Sequence, residues 1–152
     1  CLDKILEPRR IEGNLENHHV NFIACGSKHC ASVTNNGEMF VWGWGEDGQL
    51  GLGNKEQQSL PTLVHGLNNE SIVSCALGMW HTMALTRDGR VFVWGNATHG
   101  QCGLGEETKK NSCLLVPTII PMDLLPRKVM SLAAGSSHSG AIADDGSVWM
   151  WG

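Results

Sequence analysis

Ala24-Cys25-Gly26-Ser27-Lys28-His29-Cys30-Ala31-Ser32-Val33-Thr34-Asn35-Asn36-Gly37-Glu38-Met39-Phe40-Val41-Trp42-Gly43 decides the fold, because its landmarks return twice. Residues 76–95 and 133–152 repeat the first glycine (Gly26, Gly78, Gly135), the histidine three places on (His29, His81, His138) and the turn glycine (Gly37, Gly89, Gly146). They also repeat the closing Trp-Gly pair (Trp42-Gly43, Trp94-Gly95, Trp151-Gly152), and every landmark is spaced by 52 and then 57 residues. Separate markers that hold one register identify an internal repeat. Within each unit, Asn35-Asn36-Gly37, Arg87-Asp88-Gly89 or Asp144-Asp145-Gly146 separates two apolar stretches. This reads as strand, turn, strand, with the glycine supplying the positive φ that a tight hairpin needs. The runs Met39–Trp42, Val91–Trp94 and Val148–Trp151 are apolar on both faces, the pattern of a strand covered from both sides.

Working outward, the first two units continue alike, through Gly48-Gln49-Leu50-Gly51-Leu52-Gly53 and Gly100-Gln101-Cys102-Gly103-Leu104-Gly105. Each then reaches a proline-bearing stretch, Leu60-Pro61-Thr62-Leu63-Val64 or Val116-Pro117-Thr118-Ile119-Ile120. A proline inside a strand places it at a sheet edge or a strand start. Pro61 and Pro117 stand 17 and 18 residues before the next unit's first glycine, and Pro8 stands 18 before Gly26. Residues 1–21 are therefore predicted to be the tail of a preceding unit with its linker, 22–72 and 73–128 two units, and 129–152 the start of a further, truncated one. No segment carries helical periodicity. Short strands with glycine turns every ~50 residues predict an all-β fold of propeller blades, each a four-stranded antiparallel sheet.

Two common propeller repeats do not fit these letters. WD40 units run to about 40–45 residues and place Asp after the tryptophan, where this chain has Gly. Kelch units are marked by paired glycines and a tyrosine; the chain has no Gly-Gly and no tyrosine. Gly-x-x-His, x-x-Gly, Val-x-Trp-Gly, Gly-Gln-Leu-Gly-Leu-Gly and Pro-Thr, recurring in that order over nearly the whole chain, resemble the regulator of chromosome condensation 1 (RCC1) repeat. The resemblance implies a seven-bladed ring. Seven units of 52 residues exceed this chain's 152, so it is expected to be a fragment of a longer propeller, completed by further blades or by other copies.

The chain has a net charge of −4, and 41% of its residues are hydrophobic. That balance argues against a basic nucleic-acid grip and against disorder. No apolar run approaches the roughly 18 residues of a membrane span, and no signal peptide opens the sequence. The six cysteines show no CxxC and no framework spacing, which reads as free thiols in a reducing compartment. The expected location is intracellular, cytoplasmic and/or nuclear, without a membrane partner.

Gly43-Trp44-Gly45-Glu46-Asp47-Gly48 matches GxGxxG, but Gln-Leu-Gly-Leu-Gly follows it instead of an amphipathic helix, so a turn is the better reading. No GxxxxGK[ST] loop occurs. His29, His81 and His138 hold the same place in each unit, so a ring keeps them apart; they are read as locking their own turns through backbone hydrogen bonds. Cys25, Cys30 and Cys102 align with Leu77, Thr82 and Leu50, small or apolar core slots. No catalytic, cofactor or metal site is assigned.

Trp44 and Trp80 do not recur and are candidate partner-binding residues. Gly78-Met79-Trp80-His81-Thr82 resembles the Gly-Trp-Arg-His-Thr units of plant UV-B photoreceptors of the family, with the tryptophan displaced by one and the arginine absent. Glu106, Glu107, Lys109 and Lys110, in a loop four residues longer than its counterpart in the preceding unit, are the other candidates. The expected function is a protein-interaction and regulatory module of a larger eukaryotic protein. The resemblance also implies an alternative, guanine-nucleotide exchange on a Ran-like small GTPase by a chromatin-associated protein. Contact with nucleic acid or chromatin is expected only through regions outside this chain.

Overall fold

The computed structural model describes residues 6–105 and 112–152. Among these residues eleven strands form three antiparallel sheets, each in sequence order. The first blade contains β1 (Val20–Cys25), β2 (His29–Thr34), β3 (Met39–Gly43) and β4 (Gln58–Leu63). The second contains β5 (Ile72–Leu77), β6 (His81–Thr86), β7 (Val91–Asn96) and β8 (Cys113–Ile119). The third contains β9 (Val129–Ala134), β10 (Ser139–Ala143) and β11 (Val148–Trp151). A short 3-10 turn, His65–Leu67, follows β4, and the described residues contain no α-helix.

The hairpin turns are those the sequence calls for. Gly37, Gly89 and Gly146 have φ of 83°, 88° and 83°, and the amides of all three close back onto the residue three places before. Pro61 and Pro117 lie in β4 and β8, the last strands of their sheets, where a missing N–H breaks no ladder.

The reason for doubly apolar strands is clearest in the middle blade. Successive residues of a strand face opposite sides of the sheet. Ala84, Phe92 and Trp94 pack toward the first blade with Ala31, Val33, Val41 and Leu50. Met83, Leu85, Val91 and Val93 pack toward the third blade with Ala141, Val129 and Leu104. The middle blade is therefore a wall between two cores, and all six residues of β6 are buried. The third blade has the same pattern with only one neighbour. Trp149 and Trp151 join the second core, whereas Val148 and Met150 stay 69% and 65% exposed.

Glycines also set how closely the blades approach. A Cβ on Gly51 would sit 2.7 Å from the Trp94 Nε1, and one on Gly103 2.7 Å from the Trp151 Nε1. Gly51 has φ +69° as well. At Gly146 an added Cβ meets nothing within 4 Å. Gly146→Ala should therefore cost only the left-handed backbone, about 1–2 kcal/mol. Gly51→Ala should cost about 1–3 kcal/mol more through overpacking against Trp94, read as a larger fall in thermal midpoint for the two variants measured together.

Candidate functional site

Strands run alternately away from and back to one end of each blade, so the β1–β2, β5–β6 and β9–β10 turns share that end with the β3–β4 and β7–β8 loops. At this end successive blades are joined by a repeated hydrogen-bond relay. His29 Nε2 lies 2.8 Å from Thr82 Oγ1 of the second blade, and Thr82 Oγ1 donates to the Gln49 carbonyl of the first at 2.7 Å. The Trp94 indole donates to the same carbonyl at 2.9 Å. One blade on, His81 Nε2 lies 2.8 Å from Ser139 Oγ, which donates to the Gln101 carbonyl at 2.9 Å, and Trp151 donates there at 2.9 Å. The relay fixes the histidine tautomer. A hydroxyl has one hydrogen, and here it goes to the carbonyl, so each imidazole must donate from Nε2 and carry none on Nδ1. The Nδ1 atoms of His29 and His81 are buried without a partner.

The histidines thus differ from their sequence reading. They tie one blade to the next through a hydroxyl; each turn is closed by main chain, with Gly26, Gly78 and Gly135 donating to the carbonyls of His29, His81 and His138 at 2.9 Å. The recurring hydroxyls Thr82 and Ser139, directly after the histidines, were the available signal. Cys30 aligns with those hydroxyls, so its position belongs to the relay and is more than a core slot. Cys102 is fully buried, as its alignment with Leu50 suggests.

Trp44 and Trp80 come together at the same end, across the first junction. The Lys28 Nζ stands 4.9 Å from the centre of the Trp44 ring and 5.0 Å from that of Trp80. The Trp44 amide donates to the Lys28 carbonyl at 2.9 Å, and the Trp80 carbonyl accepts from the Asn96 amide at 2.8 Å, which anchors both aromatic residues to main chain. The two indoles are half-buried, Lys28 is exposed, and neither indole N–H has a partner among the described residues. Lys28 was not singled out from the sequence, since a lone lysine in a turn carries no pattern. Glu106, Glu107, Lys109 and Lys110 lie outside the described residues. At the opposite end the prominent charges are paired, Arg90 with Glu70 and Asp88, and Arg127 with Asp144 and Asp145. Among the described residues no group of three or more His, Cys, Asp or Glu side chains is placed to hold a metal ion. No described helix is long and apolar enough to cross a membrane.

Burial, with a smaller contribution from the next histidine along, lowers both His29 and His81 from 6.5 to about 4. Between these values the unfolded chain binds more protons than the folded one. Stability is therefore whole above pH 6.5 and is lost as pH falls toward about 4. The thermal midpoint should fall across that window. Thr82→Val, which strands the His29 N–H and removes one bond to the Gln49 carbonyl, should cost about 1–3 kcal/mol in chemical denaturation.

The comparisons with known proteins agree with this geometry. A family model described as the Regulator of chromosome condensation (RCC1) repeat matches residues 36–85 and 88–142, and a second of the same description matches 20–49 and 72–101. The chain is 37% identical over 131 residues to the X-linked retinitis pigmentosa GTPase regulator of Canis lupus familiaris, covering 86% of this chain and 13% of that protein. It is 35% identical over 151 residues to the E3 ubiquitin-protein ligase HERC2 of Homo sapiens, covering 96% of this chain and 3% of that one. Both relatives are thus far longer than the matched region. Among solved structures, human WBSCR16 matches with a TM-score of 0.82 at 31% identity, over 90% of this chain and 33% of its own. Prp20p of Saccharomyces cerevisiae, solved together with its binding properties to Gsp1p and histones, matches with a TM-score of 0.78 at 28% identity, over 88% and 33%. Blade geometry, the recurring Gly-x-x-His and Trp-Gly marks and these matches lead to one conclusion: the chain belongs to the RCC1 repeat family.

Proposed function

We propose that these blades form part of an RCC1-type propeller that serves as a protein-docking and regulatory module, and that the partner binds at the end carrying Lys28, Trp44 and Trp80. The observation that carries this reading is the pair of half-buried indoles from two blades flanking one exposed ammonium, with neither indole N–H partnered among the described residues. Large rigid aromatic side chains with a polar handle are the groups that dominate binding energy at protein interfaces. The β7–β8 connection, in which the sequence places Glu106, Glu107, Lys109 and Lys110, leaves and rejoins its sheet at this end, and we include those residues in the surface. A protein as the class of partner is supported by the yeast relative's binding to Gsp1p and histones.

Further blades are part of the same proposal, because the interblade relay is half-built on both outer faces. His29 and His81 are buried at 1% and 0% exposure, whereas His138, with the same local turn, is exposed. On the opposite face, Trp42 and Cys30 hold the positions of Trp94 and Thr82, and among the described residues neither side chain reaches a loop carbonyl. A groove of about 330 Å³ beside β11, bounded by Gly103, Ile120, Leu125, Trp149 and Trp151, lies where a fourth strand of the third blade would pack. In the second blade, β8 fills the corresponding place, with the Gly53 amide donating to the Leu115 carbonyl at 2.8 Å.

The test is affinity capture with the whole parent protein, comparing wild type with Trp44→Ala/Trp80→Ala and with Arg127→Ala at the other end. A true partner should lose roughly tenfold or more in affinity with the tryptophan variant and little with the arginine variant. Equal binding by all three would overturn the assignment of this end. Release of fluorescent GDP from a panel of small GTPases, run with the same proteins, separates exchange from simple docking. Acceleration that disappears with the tryptophan variant would make the partner a GTPase and the activity exchange.

A further inference from the structure

The first blade carries a pair of thiols that the other blades lack. Cys25 on β1 stands directly across from Cys30 on β2, and the Cys30 thiol donates to the Cys25 sulfur at 3.6 Å. The equivalent pairs are Leu77 with Thr82 and Ala134 with Ser139. The Gly26 amide bonds to the His29 carbonyl, so Gly26 and His29 form a hydrogen-bonded pair and Cys25–Cys30, one step along, a non-hydrogen-bonded one. In an antiparallel ladder that is the position where Cα atoms approach most closely, to about 4.5 Å, within the range a disulfide spans. Among the described residues Cys25 is exposed and Cys30 half-buried, with the two sulfurs on the same face of the sheet.

We propose that Cys25 and Cys30 are a redox-active dithiol that a low-molecular-weight disulfide, such as glutathione disulfide, converts to an intrablade disulfide. The Cys25 thiolate attacks the reagent's S–S bond, forming a mixed disulfide and releasing one thiolate. Cys30 gives up its proton to that thiolate or to solvent, attacks the Cys25 sulfur and expels the second thiol. Two cysteines are oxidised and one disulfide is reduced to two thiols. Burial, reinforced by the hydrogen bond to Cys25, raises the Cys30 thiol, which suits Cys30 to the resolving role.

The bond has a consequence because of where Cys30 stands. It occupies the position at which Thr82 and Ser139 donate to a neighbouring blade's carbonyl. A thiol can turn its one hydrogen from the Cys25 sulfur to such a carbonyl and a disulfide has none, so oxidation removes the first blade's donor to whatever packs on its outer face. The chemistry itself is independent of the docking proposed above, and its test reads sulfur directly.

Trypsin cleaves after Lys28, between the two cysteines, and yields Ile11–Lys28 and His29–Lys55, each holding one of them. The folded protein is equilibrated in glutathione buffers of rising disulfide fraction, free thiols are alkylated, and the digest is weighed by mass spectrometry. The expected product is those two peptides joined, with the loss of two hydrogens. Cys30→Ser should trap glutathione on Cys25, and Cys25→Ser should leave Cys30 unmodified under the same conditions. Linkage of Cys25 to Cys75 instead, a Cys30→Ser protein that takes up no glutathione, or two free thiols throughout the series would each overturn the proposal. Circular dichroism of each variant confirms that the readout comes from folded protein.

Discussion

The Gln49 carbonyl accepts one hydrogen bond from the Trp94 indole and one from the Thr82 hydroxyl, and the Gln101 carbonyl repeats the arrangement a blade later. A carbonyl in a loop pressed into a core has no water to satisfy it, and leaving it bare costs about 1–3 kcal/mol. The neighbouring blade must therefore supply both donors, at positions fixed to a few tenths of an ångström. Apolar contact alone pulls two sheets together without specifying how they are turned or offset. The carbonyl supplies that specification. It requires a glycine at position 51 so the indole can approach, a hydroxyl at position 82 and a neutral imidazole at position 29 to complete the relay.

What was legible in the sequence is what is local. Strand, turn and edge were readable because period-two patterning, Asn/Asp-Gly steps and proline act within a few residues. The relay was not, because its acceptor is a main-chain oxygen, which has no letter. Read locally, His29 belongs to its own turn, because the hydroxyl it meets lies in the next unit. The hydroxyl signal itself was blurred by Cys30, which breaks the Thr/Ser series in the first unit. Trp44 and Trp80 stood out by failing to recur. Their meeting over Lys28 depends on two adjacent blades setting different turns side by side, and no spacing rule encodes that.

Identical letters also end in different surroundings. His81 and His138 close the same turn, yet one is fully buried and the other exposed. β7 is buried almost throughout, whereas β11 buries alternate residues and leaves Val148 and Met150 to solvent. The repeat dictates conformation, and the neighbour dictates burial. A propeller blade is thus a unit whose backbone is self-specified and whose core is shared.

The relay has a direction. The middle blade offers an imidazole and a loop carbonyl on one face, and a hydroxyl and an indole on the other. A gene duplication that copies one whole unit therefore creates one new junction already matched at both sides, while a duplication of any other length breaks a junction. Such an interface, unlike a self-complementary one, propagates until its rotation closes or runs on open. Ring size is then set by the angle per junction, and a loop can lengthen without disturbing the joint, as the spacings of 52 and 57 residues between units show in this chain.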